Sequence, residues 1–153
     1  MQQTLIKTFG ILAILVLSVS NVSAYGMESI WITPTDKICI DNGGNIEEKL
    51  CVSRWEEAKK ICKASEGVLP PLDILKSVIT KCTGIIDDRN ANQNNVKYSK
   101  CYKEKGFSMY AYWSDRTNEE NENDAWYVGF FYGSLYEFNK KHFNYVRCLK
   151  PTK

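Results

Sequence analysis

Six cysteines, Cys39, Cys51, Cys62, Cys82, Cys101 and Cys148, stand behind an N-terminal segment with the make-up of an export signal. Nothing else in the chain constrains its fold as much. Compartments outside the cytoplasm keep thiols oxidised, so an even number of cysteines in an exported chain reads as three disulfides. Zinc is the competing reading. The spacing opposes it, because there is no CxxC pair and the one histidine, His142, stands six residues from the nearest cysteine. Six cysteines allow fifteen pairings, and sequence alone does not choose among them.

The export reading rests on residues 1–24. Lys7 is the only charged residue before Glu28, and the apolar run Phe9 to Leu17 follows it. Small and polar residues then lead to Asn21-Val22-Ser23-Ala24, which places cleavage after Ala24. The apolar run is short for a hydrocarbon core of roughly 30 Å, which favours a cleaved signal peptide over an anchor helix. No cysteine follows the cleavage site to carry a lipid. Residues 25–153 then form a single mature domain, secreted or periplasmic, of ordinary size for one core. Cleavage removes one lysine and no acid, leaving a net charge of +1 from +2. That balance lacks the basic footprint of a nucleic-acid partner, and no later apolar run is long enough for a membrane span. Oligomeric state is not legible.

Along the mature chain, Ser29–Val52 reads as strands around a turn. Ile30, Ile32, Ile38 and Ile40 alternate with polar neighbours, and Asp41-Asn42-Gly43-Gly44-Asn45 is turn chemistry. Ser53-Arg54-Trp55-Glu56 fits a capping box, and Trp55, Ala58 and Cys62 follow at helical spacing as far as Gly67. A second helix follows Pro70-Pro71, with Leu72, Leu75, Val78, Ile79 and Cys82 on one side. The stretch 89–95, Arg-Asn-Ala-Asn-Gln-Asn-Asn, has almost no apolar content and predicts a mobile surface loop. Aromatic and β-branched runs at 109–113, 125–131, 135–138 and 144–149 predict strands. Strands, two helices, then strands indicate an α+β domain. Trp55, Trp113, Trp126, Val128 and Phe130 are the expected core.

Several of these segments fall in an order that resembles a known family. Trp55-Glu56-Glu57-Ala58 with Cys62 is similar to the family's "W-x-x-A…C" opening. Gly67-Val68-Leu69-Pro70 with Leu75 looks like a shortened "GWRLPTxxEL" segment. Tyr112-Trp113-Ser114, Ala125-Trp126-Tyr127-Val128 and Tyr145-Val146-Arg147-Cys148 resemble its "yWSS…aWyV.F..G…yVRCv" ending. The family is the Lcl C-terminal domain, a bacterial module named after a collagen-like adhesin. The likeness covers most of residues 52–149, with departures: Pro71 stands for a capping Thr, Ile74 for Glu, and Asp115 for the second Ser of "WSS".

The resemblance implies a C-type-lectin-like or formylglycine-enzyme-like fold, with two helices packed on a small twisted antiparallel sheet. In that architecture a first-helix cysteine is tied to the final strand, which implies Cys62–Cys148. The simplest remaining pairs are Cys39–Cys51 and Cys82–Cys101, the latter bracketing the Asn-rich stretch. The formylglycine-type cysteine chemistry is not carried over, because all six thiols have a structural use.

Catalysis finds little support, since His142 sits among Lys140, Lys141 and Phe143 with no flanking carboxylate for a nucleophile–base arrangement. The loop 118–124 offers Glu119, Glu120, Glu122 and Asp124, oxygen ligands of the kind hard calcium prefers, although EF-hand spacing is absent. Otherwise no cofactor is expected. Lys140, Lys141, Arg147 and Lys150, with His142 and Lys153 nearby, could hold sulfated or acidic glycans through charge-assisted hydrogen bonds. The adhesin's taste for sulfated polysaccharide points the same way. Lys97, Lys100, Lys103 and Lys105 form a second basic group. Tyr127, Phe131, Tyr136 and Tyr145 are expected on the other sheet face, covered by the Asn-rich loop or exposed as a sugar- or protein-binding platform. The functional expectation is a non-catalytic binding or adhesion module for a glycan or a surface protein. The alternative is a structural part of a cell-envelope or surface assembly with no small ligand.

Overall fold

The computed structural model describes residues 31–151. The expected signal peptide, its cleavage site and Lys153 lie outside the described residues. The elements, in chain order, are β1 Trp31–Ile32, α1 Asp36–Asp41, β2 Asn45–Glu47, β3 Leu50–Ser53, α2 Trp55–Ala64, α3 Leu72–Lys81, α4 Arg89–Gln93, α5 Val96–Glu104, β4 Ala111–Thr117, β5 Asp124–Gly129, β6 Ser134–Asn139, β7 Asn144–Tyr145 and β8 Cys148–Leu149. This is an α+β architecture. No helix among the described residues is long and apolar enough to cross a membrane.

The six-stranded sheet runs β2-β3-β7-β4-β5-β6, and β1 pairs with β8 in a separate two-stranded ladder. The large sheet is mixed, not wholly antiparallel as expected, because β7 enters between β3 and β4 and lies parallel to β4. Nor do residues 144–149 make one strand. Asn144–Tyr145 joins the large sheet, and Cys148–Leu149 leaves it to meet β1.

Two helices were expected and five are found among the described residues. Of the three extra ones α1 and α4 are short and α5 has nine residues, and each starts at a side-chain cap. Thr35 Oγ1 accepts from Ile38 N at 3.2 Å, Asp88 Oδ1 from Ala91 N at 2.9 Å, and Asn95 Oδ1 from Tyr98 N at 2.9 Å. Such caps supply partners for amide groups that a helix start leaves free. The 38–40 region is thus helical, and Ile40 points outward with 58% of its surface exposed. The capping box at Ser53 is also absent. Ser53 ends β3 with its hydroxyl donating to Arg54 O, and Arg54 takes the cap position without a side-chain bond. Trp55 N instead donates to Lys140 O at 3.1 Å, so a distant turn closes the start of α2.

The Asn-rich stretch is not a loose loop. Asn92 is 2% exposed. Its Nδ2 donates to Ile85 O at 2.5 Å and to Tyr132 O at 2.7 Å, and its Oδ1 accepts from Ile85 N at 2.9 Å. These bonds pin the 85–95 segment to the β5–β6 turn. Gly133 in that turn has φ +67°, and a Cβ there would lie 2.4 Å from Asn92 Nδ2, so the position demands glycine.

The sheet is covered on both faces. On one, α2 packs Trp55, Ala58, Ile61 and Cys62 against Trp113, Ala125 and Val146. On the other, α3 and α5 bring Leu75, Ile79, Tyr98 and Tyr102 against Tyr112, Val128 and Phe130. The core expected as one group is therefore split by strand alternation, Trp55 and Trp113 lying on one side and Val128 and Phe130 on the other. Two tryptophans clasp the first face reciprocally. Trp55 Nε1 donates to Ser114 O at 2.7 Å, and Trp113 Nε1 donates to Ser53 O at 2.9 Å.

Three disulfides staple these parts: Cys39–Cys51, Cys62–Cys148 and Cys82–Cys101. They join α1 to β3, α2 to β8, and the end of α3 to α5. All three pairs implied by the family resemblance are present, and no free cysteine remains among the described residues.

Candidate functional site: an aromatic and cationic strip on the edge strand

The α2-side face of the sheet runs out past its helical cover. Trp113, Tyr127 and Tyr136 lie side by side across β4, β5 and β6 in register. Trp113 is buried and Tyr127 half-buried, whereas Tyr136 on the edge strand is 52% exposed. Two residues along β6, Phe138 lies on the same face, 41% exposed. The rings form a chain of contacts, with centroids 5.7 Å apart for Tyr127–Tyr136, 6.0 Å for Tyr127–Phe138 and 4.3 Å for Phe138–His142. Burial, with a smaller contribution from the Tyr136 hydroxyl, raises the Tyr127 phenol above its ordinary pKa.

The turn after β6 adds cations. Arg54 Nε donates to Lys141 O at 3.1 Å, and its guanidinium lies 5.3 Å from the ring centre of Phe143, itself 40% exposed. Lys140 Nζ sits 4.4 Å from the Trp55 ring centre and donates to Glu122 O. Among the described residues, Arg54, Lys140 and Lys141 have no carboxylate within ion-pair distance. Lys59, on the Trp55 ring at 3.8 Å, differs in pairing with Glu56 at 2.8 Å. The chemistry on offer is a flat apolar run suited to the CH face of a sugar, ending in donors suited to an anionic group.

Of the four cations singled out in the sequence, only Lys140 and Lys141 belong to this strip. Arg147 donates to Thr33 Oγ1 and to Lys105 O, closing the end of α5, and lies over Phe107. Burial draws its pKa below the usual arginine value. Lys150 is exposed beyond β8. Lys97, Lys100 and Lys103 are exposed on α5, where Lys100 pairs with Glu104 at 3.9 Å.

The acidic loop is folded on itself. Asn118 Oδ1 accepts from Glu120 N, Asn121 Nδ2 donates to Asp124 Oδ2, and Asn121 Oδ1 accepts from Asn123 N. Glu119, Glu120 and Glu122 are exposed. Among the described residues, no three acidic, histidine or cysteine side chains gather as a metal centre would require. His142 donates its backbone N–H to Asn139 O and lays its ring on Phe138.

The expected aromatic platform divides. Tyr127 and Tyr136 form the strip on the α2 side. Tyr145 instead stacks on Tyr110 at 4.5 Å, and Phe131 packs against Tyr132 at 4.6 Å. Arg54, Phe138 and Phe143 are site residues that the sequence reading assigns only to a helix start, a strand and the surroundings of His142. Alternation of Tyr136 and Phe138 was the available signal, but nothing marked β6 as the edge. Comparison of the chain with protein-family models, with curated proteins and with solved structures returns no match.

Proposed function

We propose that this chain is an exported, non-catalytic binding module of the Lcl C-terminal type, with a C-type-lectin-like fold, that recognises acidic or sulfated glycans. One observation carries the reading: exposed Tyr136, Phe138 and Phe143 adjoin Arg54, Lys140 and Lys141, cations without carboxylate partners. Monomeric proteins expose contiguous apolar surface sparingly, and exposed aromatics rimmed by polar groups mark contact sites. The three disulfides suit life in a secreted or periplasmic setting. With every cysteine of the described residues bridged, thiol chemistry has no group to start from.

A glycan array of the mature domain, run with and without chelator, tests the reading. The expected result is binding that tracks sulfation and is indifferent to chelator, because the strip uses cations of the protein itself. Loss with chelator would move the site to the acidic loop.

The alternative, a structural component of a surface assembly, is favoured by the position of β6 at the sheet edge, where backbone groups are open to a partner strand. Array silence together with co-purification of an envelope protein would establish it and overturn the glycan reading.

A further inference from the structure

We infer that the strip takes interior units of a linear, sparsely sulfated polysaccharide laid along β6, not a chain end or a free sugar; the inference rests on the glycan reading above. The first reason is shape. Tyr136 and Phe138 present half or nearly half of their surface from one strand. An end-recognising site has to enclose the terminal unit, whereas open rings in a row support a chain continuing in both directions. Tyr136 to Phe138 spans about 7 Å at the strand rise, and His142 extends the row by a further 4.3 Å contact. The row thus accommodates about two or three linked sugar rings by that measure.

The second reason is the distribution of charge. At the His142 end stand Arg54, Lys140 and Lys141, with no carboxylate at ion-pair distance among the described residues. At the Tyr136 end the neighbours are Asp87, whose Oδ1 accepts from Leu135 N, and Arg89 on the Tyr132 ring, opposite charges that offset each other. A polymer sulfated on every unit would gain no net attraction there, because the charges of Asp87 and Arg89 offset each other. One alternating neutral and sulfated units sets a neutral ring on Tyr136 and a sulfate at Lys141. The strip is therefore polar along its length, and it fixes the direction of the bound chain.

Titration calorimetry with size-graded κ-carrageenan oligosaccharides, singly sulfated per disaccharide, tests this beside neutral agaro-oligosaccharides and dextran sulfate. Affinity is expected to rise from the disaccharide and level off by the tetrasaccharide, unchanged by capping the reducing end. Y136A should weaken the hexasaccharide about tenfold, the worth of one lost ring contact, and the disaccharide less, whereas F138A should weaken both. K141S should weaken both and flatten the salt dependence. Equal affinity for disaccharide and hexasaccharide, or loss on end-capping, would overturn the interior-unit inference while leaving the glycan reading intact. Tighter binding of dextran sulfate, undiminished in Y136A, would reduce the site to a cation patch and overturn it as well. Failure of folded protein to bind any of the three overturns both. So does a dimer in sedimentation velocity that Y136A dissociates, because the strip is then a protein interface.

Discussion

Replacing Asn92 with alanine removes three hydrogen bonds at once and leaves Ile85 N, Ile85 O and Tyr132 O without their partner. An unpaired buried group costs about 1–3 kcal/mol. Ile85 is exposed, so water reaches part of what is freed and the low end applies. The expected loss is about 3 kcal/mol, from a total that for domains of this kind is about 5–15 kcal/mol. That corresponds to a fall in Tm of about 10 °C. Asn92→Asp sharpens the test. The carboxylate still accepts from Ile85 N, but its other oxygen faces two carbonyls that asparagine satisfied as a donor. It should therefore destabilise at least as much as alanine at neutral pH. Urea unfolding with the disulfides intact measures both variants. Losses below 1 kcal/mol in both would refute the claim that this side chain holds the 85–95 segment to the β5–β6 turn.

The staples should rank by the loop each closes. Chain-entropy arithmetic gives about 4–5 kcal/mol for Cys62–Cys148 and about 3 kcal/mol for each of the other two, and paired alanine substitutions read by thermal unfolding check the order. Trp113→Phe should cost about 2 kcal/mol, because Ser53 O loses its donor inside the core. Combined with Trp55→Phe, the loss should depart from additivity, since both rings bridge the same two segments. The Tyr110 hydroxyl donates to Glu48, and this bond, ahead of burial, raises its pKa from 10.0 to about 12. The fold thus favours the protonated phenol. Its contribution to stability is complete below the unfolded value of about 10 and is lost as pH rises through about 12. Several other tyrosines also titrate late because burial raises them, and absorbance titration of the phenolates should lose one late group in Tyr110→Phe. An unchanged curve would contradict the Tyr110–Glu48 bond.

What was legible in the sequence follows physical lines. α2 and α3 carry long apolar stripes, and β4 to β6 carry dense aromatic content, so local pattern and tertiary burial agree there. The other three helices were not legible because alternation at Ile38 and Ile40 imitates a strand, and because asparagines at 92 and 95 read as loop chemistry when one is a buried clasp and the other a cap. Gly67 and Pro71 bracketed the helices well, whereas Ser53 did not cap one, its backbone being already committed to pairing with Asn144. At the candidate site, Lys140 and Lys141 were visible as a basic pair, but their partners Arg54 and Trp55 are more than 80 residues away. Arg147, equally basic in sequence, is occupied in closing a helix. No spacing rule separates the two cases, because the difference lies in which element each cation meets.

The link between α2 and β8 also bears on how the molecule fails. Cys62 and Cys148 are 86 residues apart, and the self-bonded turn around Glu119 to Asn123 lies between them, exposed. Exposed polar turns of this kind are preferred sites of proteolytic nicking. One cut there leaves two pieces still covalently joined and still paired through β4 and β5, so the nicked molecule keeps its mass on a non-reducing gel and separates only when reduced. The chain can thus be broken without being taken apart, and a single cut there does not separate its parts.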